Sequence, residues 1–294
     1  MWRSRRAAAC LVAVCGLVTA GCSGGDDDSA PPSSSSAASS SASAQGSYLA
    51  LGDSVPFGYR GGEPADAYQD PAGFVGFPEL AGEQLGLDVL NASCPGETTA
   101  SFLDAAAQSN GCENSRTSPD GYRDAYPLHV PYDSADQSQL DLAVRTLEDT
   151  EDVELVSLMI GANDGFLCQA STPDGCASEI GTVATTVQTN ITTILTALRD
   201  RGGYDGPVVV VTYYALDYTD PFGAAATQLL NGAITRAAQA TGATVASGFD
   251  AFQGPAQASG GNSTTAGLVR PNDVHPTEQG QQLLADAVVT AAGR

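Results

Sequence analysis

Residues 207–214 read PVVVVTYY. Four consecutive valines present no polar face to water, so the run fits a strand covered on both sides. Such a strand needs helices above and below it, and a chain that supplies both builds a parallel sheet. The supply is visible: Ile180, Val183, Val187, Ile191, Ile194 and Leu198 recur at steps of three and four, which is the spacing of one helix face. SYLALGDS at 47–54, LDVLNAS at 87–93, VELVSLMI at 153–160 and ATVASGF at 243–249 give four further strands. Helical patterns fall in FPELAGEQLG at 77–86, in SQLDLAVRTLEDT at 138–150, near 223–240 and from about Thr277 onward. Strand and helix therefore alternate five times. This predicts an α/β three-layer sandwich: a central five-stranded parallel sheet with helices on both faces. Residues 47–294 read as one domain, with no internal repeat and no second hydrophobic core. The stretch from about 100 to 136, rich in Ser, Asn, Asp, Gly, Tyr and Pro, reads as a long loop excursion with one short helix near Phe102.

The segment before the domain has another character. MWRSRR is basic, and AAACLVAVCGLVTA is apolar but too short to span a bilayer, so residues 1–21 read as a signal peptide. Ala20-Gly21-Cys22 resembles a bacterial lipobox, which implies cleavage before Cys22 and lipidation of its thiol. Ordinary cleavage near Ala20, giving a secreted protein, is the alternative. Residues 22–46 follow as a Ser/Ala/Gly/Asp linker with almost no large apolar side chain, unable to pack. As a flexible coil it reaches about 25–30 Å, which suits a tether between a membrane and a domain.

Charge excludes some partners. The twelve basic residues are all Arg, against 34 acids, for a net charge of -22. Nucleic acid and anionic membrane surfaces both require basic patches. Contact with a membrane is expected through the Cys22 lipid only, and the protein is expected to be a monomer. Of the seven cysteines, Cys10 and Cys15 leave with the leader. Cys94, Cys112, Cys168 and Cys176 remain, an even number in an exported chain, which reads as two disulfides. Three pairings are possible, and the local one, Cys94–Cys112 with Cys168–Cys176, is expected. A zinc site is the alternative, but no pair has CxxC spacing.

In parallel sheets ligands bind beyond the carboxyl ends of the strands. Four features fall there: Gly52-Asp53-Ser54 after the first strand, CPGETT with Gly96 after the second, Gly161-Ala162-Asn163-Asp164 after the third, and His275 before the last helix. Each alone is an ordinary turn or loop residue. Together LALGDSV, NASCPGETT, MIGAND and NDVHP resemble, in order, the four blocks of the SGNH, or GDSL, hydrolase family across the whole domain. The resemblance implies a flavodoxin-like sheet and ester hydrolysis. Ser54 is then the nucleophile and His275 the base that takes its proton and returns it to the leaving alcohol. The backbone N–H groups of Ser54 and Gly96, with the Asn163 amide, supply the oxyanion hole. The family places its acid three residues before the histidine, and here Asn272 stands at that position. Asp273 stands two before. Asp273 is the expected orienting residue because an ionised partner best stabilises an imidazolium; the Asn272 amide oxygen or a backbone carbonyl are the alternatives.

Asp53 and Asp164 read as turn and cap residues. His129, the only other histidine, has no second ligand near it, so neither a metal nor a cofactor is expected. Tyr122, Tyr126, Leu128 and Tyr132 either line an acyl site or pack at the surface. If the local disulfides form, each tethers one oxyanion loop. The expected activity is that of an exported serine esterase or lipase acting on a small-molecule or lipid ester through an acyl-enzyme. Deacetylation of a carbohydrate or cell-envelope polysaccharide is one alternative. An inactive surface-binding lipoprotein is another.

Overall fold

A computed structural model describes residues 46–293. The expected signal peptide, the expected lipidation of Cys22 and the linker up to Gln45 lie outside the described residues. Five strands form one all-parallel sheet: β1 (Ser47–Gly52), β2 (Asp88–Asn91), β3 (Val153–Met159), β4 (Val208–Val211) and β5 (Thr244–Ala246), in the order β2-β1-β3-β4-β5. The valines of β4 are all buried, as strands covered on both sides must be.

The helices fall into two packed groups. Helices α1 (Ser54–Phe57), α2 (Phe77–Leu85), α9 (Gly248–Ala258) and α10 (Glu278–Ala291) contact one another. Helices α3 (Thr99–Leu103), α5 (Gln139–Asp149), α6 (Ala162–Ser171), α7 (Ile180–Asp200) and α8 (Pro221–Ala240) form the second group. A short α4 (Tyr122–Ala125) stands in the loop excursion. Local chemistry sets the starts: Ser138 caps α5, Asp220 caps α8, Ser247 caps α9 and Thr277 caps α10, each side chain accepting a backbone N–H of the first turn. The α7 stripe buries Val187, Ile191, Ile194 and Leu198 against the sheet. Fully burying such a side chain is worth about 1.5–3 kcal/mol.

Two expectations are corrected. ATVASGF ends as strand at Ala246; Ser247 turns the chain into α9, whose glycines and internal Pro255 hid its helical period. A second, smaller hydrophobic cluster also exists, of Phe57, Tyr68, Phe74, Leu128 and the Cys94 and Cys112 sulfurs, with Tyr59, Tyr122, Tyr126 and Tyr132 against it. Aromatic residues spread through loops carry no period, so sequence pattern does not reveal that they meet. Tyr122, Tyr126, Leu128 and Tyr132, read from the sequence as acyl-site or surface residues, all pack in this cluster.

β1 connects to β2 on one side and pairs with β3 on the other, so the order reverses between β1 and β3. Their ends are in register, Gly52 opposite Met159. A Cβ on Gly52 would lie 2.0 Å from the Met159 carbonyl oxygen, and φ is +139°. Glycine is therefore required at this crevice, where the sheet offers its binding site.

Candidate active site

Ser54 opens α1 directly after β1. Asp53 precedes it as the N-cap, with Oδ1 accepting the Val55 N–H at 3.0 Å and Oδ2 accepting the Tyr213 hydroxyl. Burial raises the Asp53 carboxyl to about 6, although the Tyr213 and Val55 hydrogen bonds favour its charged form. Asp53 is thus tied to the backbone of α1 and to the segment just after β4, as a cap residue should be.

The Ser54 Oγ lies 2.8 Å from His275 Nε2. His275 Nδ1 lies 2.5 Å from Asp273 Oδ1. A carboxylate oxygen accepts, so the proton sits on Nδ1 and the Nε2 lone pair faces the serine hydroxyl. Partial burial pushes the Asp273 carboxyl up, but the His275 hydrogen bond and charge, with the Gly61 and Val274 N–H groups, hold it well below the usual carboxylate range. The loop is braced by Tyr214, whose hydroxyl donates to the Val274 carbonyl at 2.6 Å, and by the Tyr59 ring, edge-on to the His275 ring at 4.9 Å. Asn272 is exposed and has a left-handed φ of 58°. Its role is to turn the loop, and Asp273 is the residue that meets the ring.

Asn163 lies in the first turn of α6, nearly buried. It donates from Nδ2 to the Glu97 carbonyl at 3.0 Å and accepts the Asn110 Nδ2 on Oδ1 at 2.9 Å. Asp164 accepts the Thr99 N–H at 2.9 Å and the Thr99 hydroxyl at 2.5 Å, joining α6 to α3. Gly96 has φ +88°, and a Cβ there would stand 2.7 Å from the Asn110 carbonyl oxygen. Glycine at 96 is thus demanded by the neighbouring loop. Among the described residues neither the Ser54 nor the Gly96 N–H has an intrachain acceptor.

Disulfides join Cys94 to Cys112 and Cys168 to Cys176. Cys94, Glu97 and Cys112 lie close enough to suggest a metal site, but the two sulfurs are bonded to each other, which removes both thiolates. His129 packs its ring, tilted, against Phe57 at 4.6 Å, with Nε2 3.1 Å from the Phe57 carbonyl oxygen at the end of α1.

A cavity of about 280 Å³ opens beside Ser54 and Asn163. Its walls are mainly apolar: Ala162, Phe166, Val183, Leu216, Ala226 and Leu230. Ile180 and Val183, the first members of the α7 stripe, line this cavity and are only partly buried. Gly96 does not line it and is joined to the site through Glu97 and Asn110.

Sequence reasoning missed several residues here. Tyr213 and Tyr214 follow β4, and the rule that ligands sit after strands would have singled them out. Gln139, which receives the Gly52 N–H at 2.6 Å and donates to the Glu97 carboxylate at 3.0 Å, carries no such signal. Neither does Asn110.

The model of the GDSL-like Lipase/Acylhydrolase family matches residues 50–283. No curated protein sequence matches the chain. Among solved structures, a GDSL-like lipase from Parabacteroides merdae is 12% identical with a TM-score of 0.50, over 85% of this chain and 96% of that one. A catalytic variant of an acetylxylan esterase from Geobacillus stearothermophilus is 14% identical with a TM-score of 0.50, over 85% of this chain and 94% of that one. At these identities the likeness shows the fold.

Proposed function

The chain belongs to the GDSL-like lipase/acylhydrolase family, and on that premise we propose that it is an exported serine hydrolase that cleaves carboxylic esters through an acyl-enzyme on Ser54. The observation that carries the proposal is the continuous chain Ser54 Oγ, His275 Nε2, His275 Nδ1, Asp273 Oδ1, at 2.8 and 2.5 Å.

The geometry supports the following course. Ser54 Oγ attacks the ester carbonyl carbon and its proton passes to His275 Nε2. Asp273 stays ionised through the neutral range and stabilises the imidazolium. The carbonyl oxygen becomes negative and takes hydrogen bonds from the Ser54 N–H, the Gly96 N–H and the Asn163 amide. His275 gives its proton to the leaving alcohol oxygen as the carbon–oxygen bond breaks. Water then attacks the acyl-enzyme with His275 as base, releasing the acid and restoring Ser54.

The apolar cavity supports an acyl chain of several carbons. It has room for roughly nine waters at liquid density, far more than an acetyl group needs. Export is supported by the leader pattern of residues 1–21 and by the two disulfides. No helix among the described residues is long and apolar enough to cross a membrane. The proposed attachment is a lipid on Cys22, from the lipobox-like Ala20-Gly21-Cys22. The test combines a fluorophosphonate probe with nitrophenyl esters of graded chain length and acetylated glycans. The proposal expects labelling that disappears in Ser54→Ala and a preference for acyl chains longer than acetyl. A folded protein that takes no label is a binding protein, and turnover confined to acetylated glycans makes it a deacetylase.

A further inference from the structure

Asn110 belongs to no motif, yet it bonds to two parts of the proposed oxyanion site. Its backbone N–H donates to the Gly96 carbonyl at 2.8 Å. Its side-chain Nδ2 donates to Asn163 Oδ1 at 2.9 Å. The direction of this second bond is set from the far side of Asn163. Asn163 Nδ2 is 3.0 Å from the Glu97 carbonyl oxygen, and a carbonyl only accepts. Asn163 therefore keeps its NH₂ group on the Glu97 side and its oxygen toward Asn110. One N–H serves Glu97, and the second remains for the substrate oxygen. If the amide were turned over, its oxygen would face the Glu97 carbonyl and the developing oxyanion would meet an acceptor. A donor at position 110 favours the productive sense, whereas an acceptor there opposes it.

The frame around Asn110 is built to hold it. The Cys94–Cys112 disulfide, with Cα atoms 5.6 Å apart, bridges positions two residues before Gly96 and two after Asn110. The missing Cβ of Gly96 leaves the space that the Asn110 carbonyl occupies. The Asn110 residue itself is exposed, so replacing its side chain removes little core packing.

We propose that Asn110 is a positioning residue for ester hydrolysis: its side-chain donor holds the Asn163 amide in the sense that directs an N–H at the oxyanion. This rests on the proposed role of Asn163 as an oxyanion donor. The experiment measures kcat and KM on nitrophenyl butyrate for the parent, Asn110→Asp, Asn110→Ala, Asn163→Ala and the Asn110→Asp/Asn163→Ala double variant. Asn110→Asp keeps the shape but sets an acceptor against Asn163 Oδ1. It should lower kcat about 10-fold with KM little changed, and lower it more than the truncation Asn110→Ala does. In the Asn163→Ala background it should cost nothing further, because the group it orients is gone. A purely structural role would make the truncation at least as harmful as the isosteric change, and would make the losses additive. Parental turnover in Asn110→Asp, or the same loss in both backgrounds, overturns the inference while the role of Asn163 stands. Parental turnover in Asn163→Ala overturns both.

Discussion

Asp273 accepts from the ring of the histidine two residues after it: Oδ1 lies 2.5 Å from His275 Nδ1 and also receives the Val274 N–H at 2.7 Å. This tight turn is possible because Asn272 adopts φ 58° and swings the next side chain inward. Its other oxygen takes the Gly61 N–H at 3.0 Å, so the carboxylate is fixed from two directions.

The two neighbours should therefore behave oppositely when replaced. Asp273→Asn should lower kcat by roughly 10³–10⁴, since the amide cannot hold the same tautomer or stabilise the imidazolium. Asn272→Ala should keep turnover near parental and lose about 1 kcal/mol of stability, because alanine tolerates a left-handed φ poorly. Ester kinetics and thermal melts on both variants check this; a catalytic collapse in Asn272→Ala with activity kept in Asp273→Asn exchanges their roles.

Gly96→Ala meets two obstacles, the positive φ and the Asn110 carbonyl at 2.7 Å. It should destabilise the protein by roughly 2 kcal/mol or more and reduce kcat as well, because the loop that yields carries Asn110. Calorimetry with parallel ester assays tests it. An unchanged melting temperature counts against the contact.

Asp53 predicts a pH dependence of stability. Its carboxyl is raised from 3.8 to about 6 by burial, opposed by the Tyr213 and Val55 hydrogen bonds. The folded state therefore binds this proton more tightly than the unfolded state does. The associated stability is fully present below about pH 4 and is lost as pH rises through 6. The difference is on the order of 3 kcal/mol. Asp53→Asn cannot titrate and keeps an acceptor for the Val55 N–H. Its melting temperature should gain on the parent's between pH 4 and 7, and parallel curves would remove Asp53 as the cause.

The two disulfides should differ in consequence. Cys94 and Cys112 are fully buried beside Gly96 and Asn110, so Cys94→Ser/Cys112→Ser should lower kcat as well as cost about 3 kcal/mol of stability. Cys168 lies on α6, whose start is held independently by the Asp164–Thr99 bonds. Cys168→Ser/Cys176→Ser should cost stability with kcat largely kept. Equal catalytic losses would show that the second bridge also orders the donors.

The cavity wall offers a specificity test. Ala226→Phe should narrow the space beside Ser54 and move the chain-length preference toward acetyl while acetyl turnover is retained. A panel of nitrophenyl esters measures the shift, and an unchanged preference places the acyl chain elsewhere.

What the sequence determined by itself is local. The unbroken β-branched run VVVV suits a strand covered on both sides, and the α7 stripe has the period of a helix, so the layered sheet followed from them. Ser54, Gly96, Asn163 and His275 were legible because they stand just after strands or before a helix, in an order that carries a resemblance. Asp273 was favoured over Asn272 on charge alone. The tertiary structure decided the rest. The partner of His275 depended on one backbone torsion at Asn272, which residue type does not reveal. The aromatic cluster, the apolar cavity, Gln139 behind Gly52 and Asn110 beside Asn163 all join residues far apart in the chain. Contacts of that kind leave no period in a sequence, because they depend on where the loops between elements come to rest.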